Sequence, residues 1–324
     1  MSEWPRPKGR ALTLGETMLR ICPKDNLPLE QAREFVIDVA GCESNVAVGL
    51  ARMGAQVGWL SKLPRNPLGR KVAGELARHG VDVSPVIWSD EGRVGTYYVE
   101  FAPAPRGIQI YYDRRGSAIS QLAPEEVDWE LLSSYRLLHL SGITPALGET
   151  ARRLVQTAIA EAQRRNVAVS FDVNYRRRLW TPEEAAQTLQ ELLPGVTLLL
   201  GTREDFRLLF GLRGTAEQVC RRVRERFGVA IVAVTLGEEG SLVHDGLHFY
   251  ASHGYRVEVV DRIGAGDAYA AGLLYGYLAD DLAFGARLGS ALAALCLTYV
   301  GDVVWATPHD VERLWAQERQ DIVR

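Results

Sequence analysis

The chain has only four cysteines, Cys22, Cys42, Cys220 and Cys296, and no two of them form a C-x-x-C pair. That scarcity argues against a thiolate zinc centre or a disulfide framework and reads as reduced thiols in a cytoplasmic protein. No stretch stays apolar for the ~20 residues that a membrane-crossing helix needs. The opening segment, MSEWPRPKGRALTLGE, lacks the apolar centre of a signal peptide. Net charge is only -3, so no broad basic field draws in nucleic acid or an anionic membrane. Also missing is G-x-x-x-x-G-K-[ST], which excludes a P-loop as the nucleotide site. The first strand turn, Leu14-Gly15-Glu16, lacks the G-x-G-x-x-G of a dinucleotide-binding domain. No residue is assigned as a metal ligand, and a small molecule remains the natural partner.

What is present is ample apolar material, 47% of 324 residues, enough for a well-buried α/β core. Short β-rich runs at 10-15, 56-61, 136-142, 167-174, 196-201 and 229-235 alternate with helical patterns such as 44-54, 149-166 and 215-228. The helical stretches repeat apolar residues every three or four positions and end at Gly or Asn. Strand, helix, strand in succession predicts a mostly parallel sheet covered on both faces, with ligands beyond the carboxyl ends of its strands. Two segments, about 16-38 and 93-117, break this rhythm with aromatic and β-branched residues and no intervening helix. They read either as a small sheet projecting as a lid over the cleft or as an edge hairpin extending the main sheet. With no repeat or linker dividing the chain, residues 1-324 read as one domain.

The most informative stretch is VEVVDRIGAGDAYAAGLLYGYLA, residues 257-279. A β-branched run leads into Gly264-Ala265-Gly266-Asp267, and a helix apolar on every side follows. Glycines before a helix present unpaired N–H groups that attract a phosphate. Asp267 falls in the first helical turn, where the dipole favours its ionised form and it can accept a proton from a hydroxyl beside that phosphate. An anion hole beside a base is the minimum for phosphoryl transfer to an alcohol. Taken bare, G-x-G-D favours an ordinary helix cap after a glycine turn, because short glycine motifs are common.

The longer string DRIGAGDAYAAG resembles the carboxyl-terminal signature of the ribokinase-like carbohydrate kinases, the PfkB family. AGCESNVAVGLARMG at 40-54 resembles the family's amino-terminal signature, with Ala40 in place of the first glycine of its pair and Gly41 and Asn45 retained. The resemblance covers essentially the full chain. It implies a three-layer fold with a small β-sheet lid, ATP and Mg2+ as cofactors, and a nucleotide loop in TLGEEG at 235-240. There Gly237 and Gly240 match, although Thr235 stands where a lysine is often found, and a plain hairpin turn is the alternative. The family's N-x-x-E element appears only as Thr202 to Asp205.

Within the family, HLSGITPAL, DVNYRRRLW and YYDRRGSA look most like the 2-keto-3-deoxygluconate kinases. The resemblance implies a sugar-acid pocket of Gly41, Asn45, Tyr97, Tyr112, Arg114, Ile143, Arg176 and Asp267. A substrate carboxylate calls for arginine forks, and Arg114 and Arg176 are the candidates. His139 and Cys42 are read as structural. The implied reaction is ATP-dependent phosphorylation of the C6 hydroxyl. The alternatives are a kinase of a neutral sugar, of fructokinase or ribokinase type, and a non-catalytic sugar- or nucleotide-binding protein. A lid sheet with apolar residues also implies a homo-oligomer paired through that sheet.

Overall fold

The computed structural model describes residues 4–102 and 105–322. Its main sheet has eight strands in the order β14-β13-β12-β11-β10-β9-β1-β4. Seven of these strands are β1 (Ala11–Leu14), β4 (Val57–Leu60), β9 (Leu137–Ser141), β10 (Ala168–Asp172), β11 (Leu198–Thr202), β12 (Ile231–Thr235) and β13 (Ser241–His244). The eighth strand, β14, spans Phe249–Ser252. Pairing is parallel from β4 across to β12 and antiparallel for β13 and β14.

Successive strand residues feed opposite faces. Leu198 and Leu200 join one apolar cluster, while Leu199 between them joins the other. Both faces are covered, which is why the strands read as continuous apolar runs rather than alternating ones. One cover is made by helices α1 (Cys42–Arg52), α2 (Pro67–Arg78), α7 (Ala265–Leu278) and α8 (Leu282–Cys296). The other is made by α3 (Glu149–Arg164), α4 (Pro182–Leu192), α5 (Arg203–Phe210) and α6 (Ala216–Phe227). A final helix, α9, spans Pro308–Ile322. The apolar all-round character of 267-279 follows from its place: α7 lies between α1 and α8, packed against both. Its glycines allow that approach, since a Cβ on Gly272 would come within 2.4 Å of the Gly289 backbone nitrogen. Gly272→Val would force the two helices apart.

A second sheet of four strands has the order β3-β2-β7-β8. These strands are β2 (Met18–Pro23), β3 (Phe35–Ala40), β7 (Thr96–Glu100) and β8 (Gln109–Asp113), and they form a separate sheet rather than an extension of the main one. Two short strands, β5 (Lys62–Pro64) and β6 (Ile87–Ser89), pair with each other. A three-layer architecture with a small separate sheet is the ribokinase-like fold.

Candidate active site

A cavity of about 1250 Å³ opens between the small sheet and the carboxyl ends of the main strands. Asp172 ends β10, Thr202 ends β11 and Thr235 ends β12, and all three line it. An adjoining cavity of about 570 Å³ shares Thr202 and Thr235 and is bordered by Arg203, Arg207, Arg213 and Gly237. The two therefore meet at the strand ends, the larger under the small sheet and the smaller toward basic side chains.

Of the residues singled out in the sequence, Gly41, Asn45, Tyr97, Tyr112, Arg114, Ile143 and Arg176 line the larger cavity. Gly264, Gly266 and Asp267 line it too. Ala265 and Gly240 line neither cavity. Gly240 has φ of +103° and follows the single 3-10 turn of Gly237–Glu239, closing the antiparallel β12-β13 connection. The TLGEEG segment is thus a hairpin turn in its backbone, with Thr235 and Gly237 reaching the cavities.

Gly264 caps α7 with φ of +87°, a left-handed conformation that favours glycine. A Cβ there would also come within 1.9 Å of the Asp302 carbonyl oxygen. Gly41 is required for space: its Cβ would meet the Glu16 carbonyl oxygen at 2.0 Å. Gly41 and Gly264 stand at the amino ends of α1 and α7, and side chains from the two helix starts meet.

Their meeting point is the carboxylate of Asp267. Asn45 Nδ2 donates to Asp267 Oδ2 at 2.7 Å, and the Cys42 thiol donates to Asp267 Oδ1 at 3.0 Å. Asn45 Oδ1 accepts from the Gly41 amide at 3.3 Å. Asn45, expected among the substrate contacts, lines the cavity and also holds the Asp267 carboxylate. Cys42, read as structural, lies against the same carboxylate, and its sulfur accepts from Asn174 Nδ2 at 2.8 Å. His139 does stay in the core, bonded to Ser170 Oγ at 3.1 Å and pushed down to about 3 by burial.

At Asp267 burial opposes the helix dipole, raising its pKa from the ordinary aspartate value against the hydrogen bonds of Cys42 and Asn45 and the charge of Arg176. Asp172, which sequence reasoning missed, is pushed up to about 8, first by burial and then by the nearby charges of Asp267 and Asp205. Glu43, beneath the site, is pushed up to about 7 by burial, although Ser141 and Thr144 donate to its Oε1 at 2.7 and 2.8 Å. The Cys42, Asp172 and Asp267 ligand atoms all lie within 4.8 Å of one another.

The two arginines expected to clamp a carboxylate differ. Arg114 Nε donates to Glu16 Oε2 at 2.7 Å, so part of its fork is already engaged. Its guanidinium lies 5.7 Å from the centre of the Tyr112 ring. Arg176 is exposed within the cavity and makes no ion pair among the described residues. Arg178 reaches across to the carbonyl of Ile110 on the small sheet. Tyr97 and Tyr112 stack with centroids 5.7 Å apart, and the Tyr97 hydroxyl is committed to Asp302 Oδ2 at 2.7 Å. Thr202 and Asp205 form a capping box at the start of α5, with Asp205 Oδ2 accepting from the Thr202 hydroxyl at 2.8 Å.

A glycine turn and a buried carboxylate at the strand ends, with basic side chains beyond, are the equipment of a phosphotransferase. Residues 9–308 match the profile described as pfkB family carbohydrate kinase. The chain belongs to this family of sugar kinases. It is 38% identical over 304 residues to the 2-dehydro-3-deoxygalactonokinase of Haloferax volcanii, spanning 94% of this chain and 95% of that protein. It is 33% identical to the 2-dehydro-3-deoxygluconokinase of Thermoproteus tenax, spanning 94% and 93% of the two chains. The crystal structure of 2-dehydro-3-deoxygluconokinase from Thermotoga maritima superposes with a TM-score of 0.90 at 33% identity, over 96% of this chain and 99% of that one.

Proposed function

We propose that this kinase transfers the terminal phosphate of ATP to the C6 hydroxyl of 2-keto-3-deoxygluconate, giving 2-keto-3-deoxy-6-phosphogluconate. The observation that carries the reading is the pairing, in one cavity, of the Asp267 carboxylate with an exposed arginine, Arg176, that has no ion pair among the described residues. The names of the relatives support the acid: two are sugar-acid kinases at 38% and 33% identity. The 38% identity to a galactonate-type kinase favours the galactonate-derived epimer as the second reading.

In this account MgATP supplies the phosphoryl group from the smaller cavity. Magnesium takes oxygen ligands, and the carboxyls of Asp172 and Asp205 on the cavity wall offer them. Gly264, Ala265 and Gly266 present backbone amides to the charge that develops on the phosphoryl oxygens. The side chains divide the remaining work. Arg176 pairs with the substrate carboxylate, and the free part of the Arg114 fork supports it. Tyr112 and Ile143 supply the apolar wall. Asp267, held on both oxygens by Asn45 and Cys42, takes the proton of the C6 hydroxyl.

The small sheet covers the reaction from water and, in this reading, also mediates homo-oligomer formation. Phe35, Val36 and Ile37 on β3 are 41%, 48% and 44% exposed, an apolar strip suited to a second copy. No helix among the described residues is long and apolar enough to cross a membrane. Product analysis tests the proposal. Phosphorus-proton coupling should place the new phosphate on the C6 methylene, whereas a phosphate on another carbon would overturn the assigned hydroxyl.

A further inference from the structure

A group of buried charges stands apart from Asp267 and its partners. Arg20 is 1% exposed although it lies on β2 of the small sheet. Its Nη1 donates to Asp302 Oδ1 at 2.5 Å and its Nη2 to Asp261 Oδ2 at 2.6 Å. Tyr97, on the neighbouring strand β7, donates its hydroxyl to the other oxygen of Asp302 at 2.7 Å. Both acids lie outside the small sheet, one before the glycine turn and one after α8.

Each acid in turn holds backbone around that turn. Asp261 Oδ1 accepts from the Ile263 amide at 3.1 Å, and Asp261 Oδ2 accepts from the Gly301 amide at 3.2 Å. The Asp302 carbonyl oxygen fills the space beside Gly264, where a Cβ would approach it to 1.9 Å. One guanidinium therefore joins three pieces of chain: the small sheet, the loop entering the glycine turn, and the loop behind it. Burying three charges is a poor source of stability compared with apolar packing. A planar fork does, however, fix two carboxylates at a set separation, which a lysine cannot do.

We propose that Arg20 is a positioning residue for phosphoryl transfer, tying the small sheet to both loops that frame Gly264 so that the turn's amides hold their receiving geometry only while that sheet is docked. The inference rests on the proposed reading of the turn as the anion hole. Arg20 touches neither substrate in this account; it acts through Asp261 and Asp302.

The test uses the full-length enzyme with Arg20→Ala and Arg20→Lys, measuring folding, turnover and nucleotide binding. Misplacement of reacting groups by about 1 Å costs on the order of 10²-fold, so turnover in folded Arg20→Ala should fall by about that factor. The Michaelis constant for the sugar acid should change by less than about threefold, because no substrate contact is lost. Calorimetry supplies a readout separate from activity: a non-hydrolysable ATP analogue should lose its advantage over ADP, while ADP affinity holds. Millimolar guanidinium ion should restore part of the turnover. Wild-type turnover in folded Arg20→Ala would overturn the proposal, and so would equal weakening of ADP and the analogue. If the alanine variant does not fold, Arg20→Lys decides: lowered turnover at near-native melting temperature supports the role, and wild-type turnover refutes it. A wild-type enzyme inactive on every sugar would instead sink the kinase reading, a distinct result.

Discussion

Replacing Asp267 by asparagine separates charge from shape at the centre of the site. The amide is nearly isosteric and can keep both contacts, its oxygen accepting from Asn45 Nδ2 and its nitrogen facing Cys42 Sγ, which now lie 2.7 and 3.0 Å from the carboxylate. What is lost is the ability to take a proton. A positioned general base contributes about 10²–10⁴-fold, which at about 1.4 kcal/mol per tenfold is about 3–5 kcal/mol of barrier. Stability moves the other way. Burial already raises the Asp267 pKa in the resting enzyme, so a neutral side chain removes a desolvation cost at neutral pH. Asp267→Asn should therefore melt at or above the wild-type temperature at pH 8 while turning over on the order of 10²–10⁴-fold more slowly. Steady-state ADP release and a thermal melt on the same preparation check both. Turnover within about threefold of wild type would refute the role, since it lies below any general-base contribution.

Arg176→Ala removes the exposed guanidinium and should raise the Michaelis constant for the acid by on the order of 10–100-fold, from about 1.5–3 kcal/mol for a charged hydrogen bond. The constant for MgATP should stay unchanged, as initial-rate kinetics would show. Arg114→Ala should instead destabilise the fold by about 3–5 kcal/mol, because Glu16, 2% exposed, loses its partner; denaturant unfolding measures this. Gly264→Ala should abolish activity, since its Cβ would meet the Asp302 carbonyl oxygen at 1.9 Å in a left-handed conformation. Glu43 tests the pH dependence. Its pKa is raised from 4.5 in the unfolded chain to about 7 in the fold, so the stability it contributes is present below pH 4.5 and is lost as pH rises to about 7. That loss reaches about 3 kcal/mol at most. Glu43→Gln should melt higher than wild type at pH 8 and alike at pH 4.5, and parallel melting curves across that range would contradict the sign.

The main strands were legible because a sheet covered on both faces needs continuous apolar runs, as in VTLLLG at 196-201, which β11 (Leu198–Thr202) overlaps in all but its last residue. The β13-β14 hairpin was not separately legible, since short alternating strands after a glycine turn resemble any surface loop. The signature residues were legible as types, but their division of labour was not. Asn45 lies 222 positions from Asp267 in sequence, and nothing local shows that its amide faces a carboxylate rather than a substrate. Cys42 looked like a small packing residue because its neighbours, Asp267 and Asn174, come from distant elements. Arg20 is the extreme case: LRICP reads as an ordinary strand with one polar position, and its acids lie 241 and 282 positions away. The Thr202 and Asp205 pair was singled out only through the family's N-x-x-E element, and in the structure the two form a capping box on α5.

The most direct test is ADP release from MgATP by the purified enzyme with 2-keto-3-deoxygluconate, 2-keto-3-deoxygalactonate, fructose and ribose at equal concentration. The account predicts turnover on the two acids and little on the neutral sugars. Preferential turnover of fructose or ribose would contradict it, leaving Asp267 and the glycine turn in place but removing Arg176 as the determinant of substrate choice.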